Sequence, residues 1–177
     1  MNMKHDKSHG KANGKDDSKG PVFNVHNIYV KDVSLESPNA PDVFNMQWEP
    51  KVDFDLQMNS NILSEAEHIY EVTLHLTVTV KLKEDKTAFL VDVKQAGIFT
   101  LQGFPEDVLQ QVLGITCPTV IFPYARETVS SLIQRAGFPQ LLLPAINFEA
   151  MYAHQQEESK GGGAAGGAGT GSQKIVV

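Results

Sequence analysis

The sequence predicts an α+β fold in which the strands come first and the helices follow. Long stretches of the first half alternate apolar and polar residues, which is the period of a half-buried strand. The second half carries apolar residues at helical spacing, bounded by proline, glycine and asparagine. These patterns predict one domain over residues 21–159.

Four strands are predicted, over residues 22–36, 51–59, 70–82 and 87–101. The clearest is YEVTLHLTVTVKL, in which every even position from 70 to 82 is apolar. This pattern is typical of a long antiparallel strand with one buried face. The fourth strand has apolar residues on both faces, so we expect both faces to be covered, one of them by another subunit.

The first strand carries an acidic face. Strict alternation of YVKDVSLE puts Tyr29, Lys31, Val33 and Leu35 on one face and Val30, Asp32, Ser34 and Glu36 on the other. Asp32 and Glu36 then lie about 13 Å apart, at roughly 3.3 Å per residue. We expect Val33 and Leu35 to pack. The segment SPNAPDVFNMQWEP (37–50) contains three prolines and predicts a long connection instead of a hairpin.

Two to three helices are predicted after the strands. Pro105 opens a short helix that Gly114 can close. Pro123 can start a second helix, YARETVSSLIQRAG, which Gly137 ends. Asn147 can cap a last helix, FEAMYAHQQEES.

Charge is distributed unevenly along the chain. The whole chain has a net charge of -6, but residues 21–159 hold 8 basic and 18 acidic side chains. A domain near -10 repels phosphate backbones, which argues against nucleic acid and favours a basic partner. Residues 1–20 are polar and predicted to be disordered, and residues 160–177 are predicted to be a flexible Gly/Ala-rich tail. Without a signal peptide or a long apolar run, we predict a cytoplasmic protein that does not insert into a membrane.

Catalytic and metal sites are not indicated by the residue pattern. Cys117 is the only thiol and lies in an apolar stretch, where a small buried side chain is the usual interpretation. His68 and His75 are seven residues apart on one strand, so they face opposite ways and cannot share a metal. We predict no enzyme activity, cofactor or metal. The aromatic residues of the long connection fit either core packing or a binding surface.

Three strings together resemble the SecB protein-export chaperone family. They are YVKDVSLESPNAP, TAFLVDVKQAGIF and CPTVIFPYARETVSSLIQRAGFPQLLLPAINFEAMY, and the similarity runs from about Val22 to about Tyr152. The resemblance implies a homotetramer, a dimer of dimers, in which each subunit has a four-stranded antiparallel sheet with helices behind it and a long crossover loop between strands one and two. It also implies a cytoplasmic chaperone that holds secretory precursors unfolded, delivers them to the SecA ATPase and hydrolyses no nucleotide.

The resemblance also implies site residues. Those matching the family's SecA-docking surface are Asp32, Glu36, Leu90 and Asp92, and Asp92 stands where the family commonly has Glu. Those matching positions that hold the tetramer together are Val91, Val93 and Gln95. Those expected to border the client grooves are Phe44, Trp48, Phe89, Leu141, Leu143, Phe148 and Tyr152.

Two alternatives to a general export chaperone stay open at this point. One is a chaperone of the same fold that is dedicated to a single client, such as an antitoxin. The other, which the residues favour least, is a small hydrolase that uses Cys117.

Overall fold

The computed structural model describes residues 20–161 and 171–176, with side chains for residues 20–157. Within these ranges one antiparallel sheet is formed by β1 (Val22–Glu36), β2 (Lys51–Ser64), β3 (Ile69–Lys81), β4 (Thr87–Gln102) and β5 (Gly171–Val176). The strand order is β1-β4-β3-β2-β5, so β4 and β3 lie between the consecutive strands β1 and β2. The four predicted strands are confirmed, and β5 was not predicted.

The two central strands supply most of the core on one face of the sheet. The predicted alternation in β3 is confirmed, since the even positions from Val72 to Leu82 are each at most 2% exposed. In β4 the same face is formed by Phe89, Val91, Val93, Phe99 and Leu101, all buried. We call this the helix face, because the helices pack on it, and the opposite one the open face.

A single long helical segment covers the helix face. It consists of α1 (Glu106–Gln111), a π-helical turn (Val112–Thr116) and α2 (Cys117–Arg135), which follow one another without a break. The predictions that Gly114 closes one helix and Pro123 starts another are therefore wrong. Fully buried side chains recur every four residues along α2, at Cys117, Ile121, Ala125, Val129 and Ile133. Their burial outweighs the helix-breaking tendency of glycine and proline, about 1 and 3 kcal/mol respectively.

The ends of α2 and the start of the last helix follow the predictions. Gly137 adopts a φ of 87° after α2, and the amide of Phe138 donates to the carbonyl of Ile133 at 3.2 Å. Asn147 caps α3 (Phe148–Gly161), because its side-chain oxygen accepts a hydrogen bond from the Ala150 amide at 3.0 Å. Residues 138–147 run between the two helices without regular structure.

The connection from β1 to β2 is anchored on β4. Ser37 Oγ donates to the Ala88 carbonyl at 2.8 Å, and Asn39 Nδ2 donates to the Thr87 carbonyl at 2.9 Å. A single 3-10 turn, Asp42–Asn45, follows. These contacts hold the apolar side chains of the connection near the end of α2.

The two predicted terminal segments are only partly described. Residues 1–19, 162–170 and 177 lie outside the described residues. Residues 171–176 differ from the predicted tail because they pair with β2 as a strand. By length and composition the segment Glu106–Arg135 would also pass as a membrane span, a test that core helices of soluble proteins pass too. Its buried stripe packs on the sheet instead.

Candidate functional site

The open face of the sheet brings the four predicted docking residues together. Glu36 of β1 lies opposite Leu90 of β4, and Ser34 lies opposite Asp92. Asp32 lies opposite Lys94, and their side chains form an ion pair at 3.6 Å. Directly opposed residues in an antiparallel pair share a face. Three carboxylates and one leucine therefore form a continuous patch on two neighbouring strands, which we call the acidic patch (Asp32, Glu36, Leu90, Asp92).

The strict alternation predicted for β1 is wrong at one point. A bulge between Val30 and Asp32 gives β1 one extra residue, Lys31. As a result Tyr29 lies opposite Ala96, on the same open face as Asp32. Beyond the bulge, Leu35 packs against the core as predicted, whereas Val33 remains 43% exposed because β1 is an edge strand.

The carboxylates of the acidic patch differ in how firmly they are held. Asp92 accepts hydrogen bonds from His75 Nε2 at 2.8 Å and Thr77 Oγ1 at 3.0 Å, and its side chain is 28% exposed. The shorter side chain of Asp92 is thus engaged by its own neighbours. Asp32 is 63% exposed, and the side chain of Glu36 has no hydrogen bond or ion pair within the described residues. Asp32 and Glu36 are the carboxylates best presented to a partner.

A buried glutamate anchors the bulged middle of β1 on the open face. Glu71 accepts hydrogen bonds from Tyr29 Oη and from Lys31 Nζ, the latter at 2.8 Å, and its side chain is 7% exposed. Burial alone would raise the pKa of Glu71, but the donors Lys31 and Tyr29 outweigh it and hold the pKa below the ordinary 4.5. The bond to Glu71, with burial second, raises the pKa of Tyr29 to about 12. This cluster holds the bulged part of β1 against β3.

We expect Glu71→Gln to lower the free energy of unfolding at pH 7 by about 1–3 kcal/mol, because the charged acceptor of two buried hydrogen bonds is lost. The pKa of Glu71 is lower in the folded chain, so its contribution is complete above pH 4.5 and disappears as the pH falls through the folded-state pKa. Urea denaturation followed from pH 7 to below pH 4 should therefore show a shallower decline of the unfolding free energy below pH 4.5 in the variant. Glu67 is exposed, so Glu67→Gln serves as the control. An equal loss of unfolding free energy in both variants would contradict the role of Glu71.

Four aromatic rings meet where the β1–β2 connection crosses the end of α2. Phe138 lies at the centre, with ring centroids 5.0 Å from Phe44, 6.1 Å from Trp48 and 4.8 Å from Phe89. Phe89 and Phe138 are buried, while Phe44 is 51% and Trp48 37% exposed. We call this the aromatic cluster. It joins three of the predicted client-binding residues with Phe138, which was not predicted because its neighbours lie far away in the sequence, in the β1–β2 connection and in β4.

The other predicted client-binding residues are divided between the core and the surface. Leu143 and Phe148 are buried, and Leu141 and Tyr152 are half-buried. Phe148 forms part of a groove of about 760 Å³ between α2 and residues 138–147. Along this groove Leu142 is 58% exposed, and the Nε of Arg126 is buried with no hydrogen-bond partner among the side chains and backbone that the structure describes. The α2 side of the groove was not predicted, since it depends on the path of an irregular segment.

Tyr152 packs against the backbone of Gly114 in the π-helical turn. A Cβ atom at Gly114 would lie 2.5 Å from Cδ2 of the Tyr152 ring. Only glycine allows α3 to approach this closely, which explains a glycine inside a continuous helix.

We expect Gly114→Ala to displace α3 and lower the free energy of unfolding by about 1–3 kcal/mol through overpacking. Removing the ring in Tyr152→Ala should make room for the added methyl group. Gly114→Ala should therefore lower the free energy of unfolding by less in the Tyr152→Ala background than in the unmodified chain. A double-mutant cycle in urea measures this difference. Strict additivity of the two changes would contradict the contact.

The residues matched to tetramer contacts lie on the helix face of β4. Val91 and Val93 are fully buried and Gln95 is 3% exposed. Gln95 Oε1 accepts a hydrogen bond from Thr128 of α2 at 3.3 Å. The chain's own α2 already covers these side chains. A substitution at these positions would therefore affect assembly by displacing α2, and not through direct contact with another subunit.

Two further observations bear on catalysis and metal binding. Cys117 is fully buried, and burial raises the pKa of its thiol to about 12, so the thiol is protonated at neutral pH. Within the described residues no group of three or more His, Cys, Asp or Glu side chains is arranged to hold a metal ion.

Comparison with known proteins identifies the family. The model of the family "Preprotein translocase subunit SecB" matches residues 16–159. The chain belongs to the SecB family. It is 53% identical over 133 residues to the protein-export protein SecB of Methylococcus capsulatus, covering 75% of this chain and 84% of the relative. It is 50% identical over 143 residues to the SecB of Nitrosococcus oceani, covering 81% and 87%.

A solved structure has the same fold as this SecB family member. It is the Mycobacterium tuberculosis SecB-like chaperone Rv1957 in complex with a ChAD peptide from the Rv1956 HigA1 antitoxin. The TM-score is 0.59 at 16% identity, over 71% of this chain and 91% of that one. The match supports a SecB-like fold, and the relatives identify the chain as a member of a protein-export chaperone family.

Proposed function

We propose that the chain is a cytoplasmic chaperone that binds unfolded precursor proteins, keeps them competent for translocation and delivers them to the SecA ATPase. The observation that carries this proposal is the acidic patch, in which two exposed carboxylates and Leu90 lie side by side on two strands. An acidic surface with an apolar residue beside its carboxylates suits a basic partner segment. The net charge of -10 over residues 21–159 favours the same partner electrostatically.

Clients would bind on the opposite side of the molecule, at the aromatic cluster. Phe44 and Trp48 expose large apolar surfaces that rest on the buried rings of Phe89 and Phe138. Aromatic anchors on a packed base are typical of binding hot spots. Unfolded chains expose apolar segments and folded chains do not, so binding at this surface lowers the concentration of chain free to fold or aggregate.

We further propose that the working form is a homotetramer, a dimer of dimers. The outer edge of β1 has no partner strand within the described residues. Apolar side chains along β1 are 36–44% exposed, at Val22, Phe23, Val25, Val30 and Val33. Exposed apolar residues on an open strand edge favour association with another copy. Light scattering at micromolar concentration should give four times the mass of one chain, and a monomer would contradict this part of the proposal.

The chaperone activity is tested by refolding. At one tetramer per client, the chain should delay the refolding of a chemically unfolded secretory precursor, and SecA should bind the resulting complex. Unchanged refolding kinetics would remove the client-binding function. Capture of bound chains from cytosol then separates a general chaperone, which holds many precursors, from one dedicated to a single client.

A further inference from the structure

The chain's own C-terminal strand occupies the outer edge of β2. β5 pairs antiparallel with β2 over six residues, from Asp53 opposite Val176 to Met58 opposite Gly171. The other edge of β2 pairs with β3, so without β5 the outer edge would present unpaired amide and carbonyl groups. The match to the SecB family ends at residue 159, which places β5 outside the matched region.

The register of β5 sets two complementary residue pairs across the edge that it covers. Ile175 lies opposite Phe54, whose side chain is buried in the core, and Lys174 lies opposite Asp55 on the open face. Val176 lies opposite Asp53. Opposite-charge and apolar pairs across an antiparallel ladder each stabilise pairing by about 0.2–1 kcal/mol. The edge thus favours a β-branched residue opposite Phe54 and a basic residue opposite Asp55.

We propose that the outer edge of β2 is a strand-addition site for extended client segments of this composition, and that residues 171–176 occupy it as an internal competitor. This inference rests on the proposed client binding and adds a second mode to it. Backbone pairing provides affinity for many sequences, while Phe54 and Asp55 favour apolar and basic residues at alternate positions. A client segment binds when it displaces β5 from the edge.

Because β5 is part of the same chain, it competes strongly with client segments for the outer edge of β2. Nine residues join the end of α3 at Gly161 to the start of β5 at Gly171. A segment tethered by a short connection competes at an effective concentration on the order of millimolar. If β5 leaves the edge free for a tenth of the time, it weakens the apparent affinity for a client strand by about tenfold. It also shields β2 from edge-to-edge association with another copy.

The first test removes the competitor and measures the edge directly. A variant that ends at Thr170 is compared with the full chain, and the probe is the fluorescently labelled heptapeptide GSQKIVV. Fluorescence anisotropy should show about tenfold tighter binding of the peptide to the shortened chain. Amide hydrogen exchange in residues 51–58 should be faster in the shortened chain and slow again when the peptide is added. Equal peptide affinity and equal exchange in the two chains would overturn the proposal.

Full-length variants then separate strand pairing from the loss of seven residues. Gln173→Pro with Ile175→Pro keeps the length and charge but cannot pair as a strand, so it should bind the peptide as the shortened chain does. Lys174→Glu puts like charges opposite each other at Asp55 and should also free the edge. Adding Asp55→Lys should restore protection of residues 51–58, whereas Asp55→Lys alone should reduce it. No restoration in the double variant would contradict the register-specific pairing.

The client assay distinguishes this inference from the proposed function. If the full chain delays refolding of an unfolded precursor and the shortened chain does so equally, client binding stands and the role of the β2 edge is refuted. If neither chain delays refolding, the proposed function fails. A stronger delay by the shortened chain supports both.

Discussion

Replacing Asp32 and Glu36 together by lysine is expected to weaken SecA binding by about 100-fold, or roughly 2.7 kcal/mol. Both side chains are on the open face of β1, and Asp32 is 63% exposed. The change replaces two of the three carboxylates of the acidic patch by ammonium groups, so a basic partner meets repulsion where it met attraction. Isothermal titration calorimetry near physiological salt measures the change.

The fold should tolerate this double substitution. The ion pair between Asp32 and Lys94 joins two largely exposed side chains at 3.6 Å, and such pairs contribute about 0–1 kcal/mol. The side chain of Glu36 has no ion pair or hydrogen bond to lose within the described residues. Lost SecA binding in a variant with unchanged unfolding and unchanged client binding would therefore locate the contact on the acidic patch.

A matched control is provided by the turn between β2 and β3. Glu65 and Glu67 are exposed there, and lysine at both positions changes the net charge by the same amount. This control should keep nearly all of the affinity, and the affinity that remains should fall with added salt as in the unmodified chain. If both double variants lose affinity equally, net charge accounts for the binding and the specific docking residues are wrong.

The strands of this fold could be predicted because apolar and polar residues alternate along them, and the apolar residues are the buried ones. The even positions of β3 from Val72 onward are buried as the pattern predicts, Tyr70 is half-buried, and the two faces of β4 were assigned correctly. The bulge at Lys31 could not be predicted, since it is defined only by the register between β1 and β4. It moves Tyr29 and Lys31 to the face where they reach Glu71.

Errors in the helical half arose where packing outweighs local preference. Gly114 and Pro123 are both sequence signals for helix boundaries, yet the segment Glu106–Arg135 continues through them. Gly114 is present for the approach of Tyr152, a contact between residues 38 positions apart in the sequence. The glycine at this position is therefore explained by the tertiary structure and not by the local sequence.

The candidate site was predicted through the family resemblance more than through residue patterns. Alternation alone placed Leu90 with Asp92 and Asp32 with Glu36, but not the two pairs beside each other. The register between β1 and β4 brings them into one patch. Phe138 was missed because it follows the helix-ending Gly137 and has no periodic pattern around it.

Truncation of Phe138 is expected to have the largest effect on client binding. Phe138 is 6% exposed and touches Phe44, Trp48 and Phe89, so Phe138→Ala removes the common base of the aromatic cluster. We expect the free energy of unfolding to fall by about 3–5 kcal/mol. We also expect the affinity for an unfolded precursor to fall by about tenfold, because the two exposed rings lose their support.

Two further variants separate the surface from global stability. Phe99 is fully buried elsewhere on the helix face, and Phe99→Ala is the same chemical change with a similar cost in stability. It should leave client affinity nearly unchanged at temperatures where the variant is folded. Phe44→Ala removes a ring that is 51% exposed and should lower client affinity with little effect on unfolding.

These variants also distinguish a binding surface from ordinary core packing under a long connection. If the cluster serves only the core, Phe138→Ala and Phe99→Ala should affect stability alike, and Phe44→Ala should leave client binding unchanged. If the cluster binds clients, loss of affinity should follow the exposed ring and its base but not the remote core ring. Affinity and unfolding, measured on the same preparations, therefore decide between the two functions of Phe44 and Trp48.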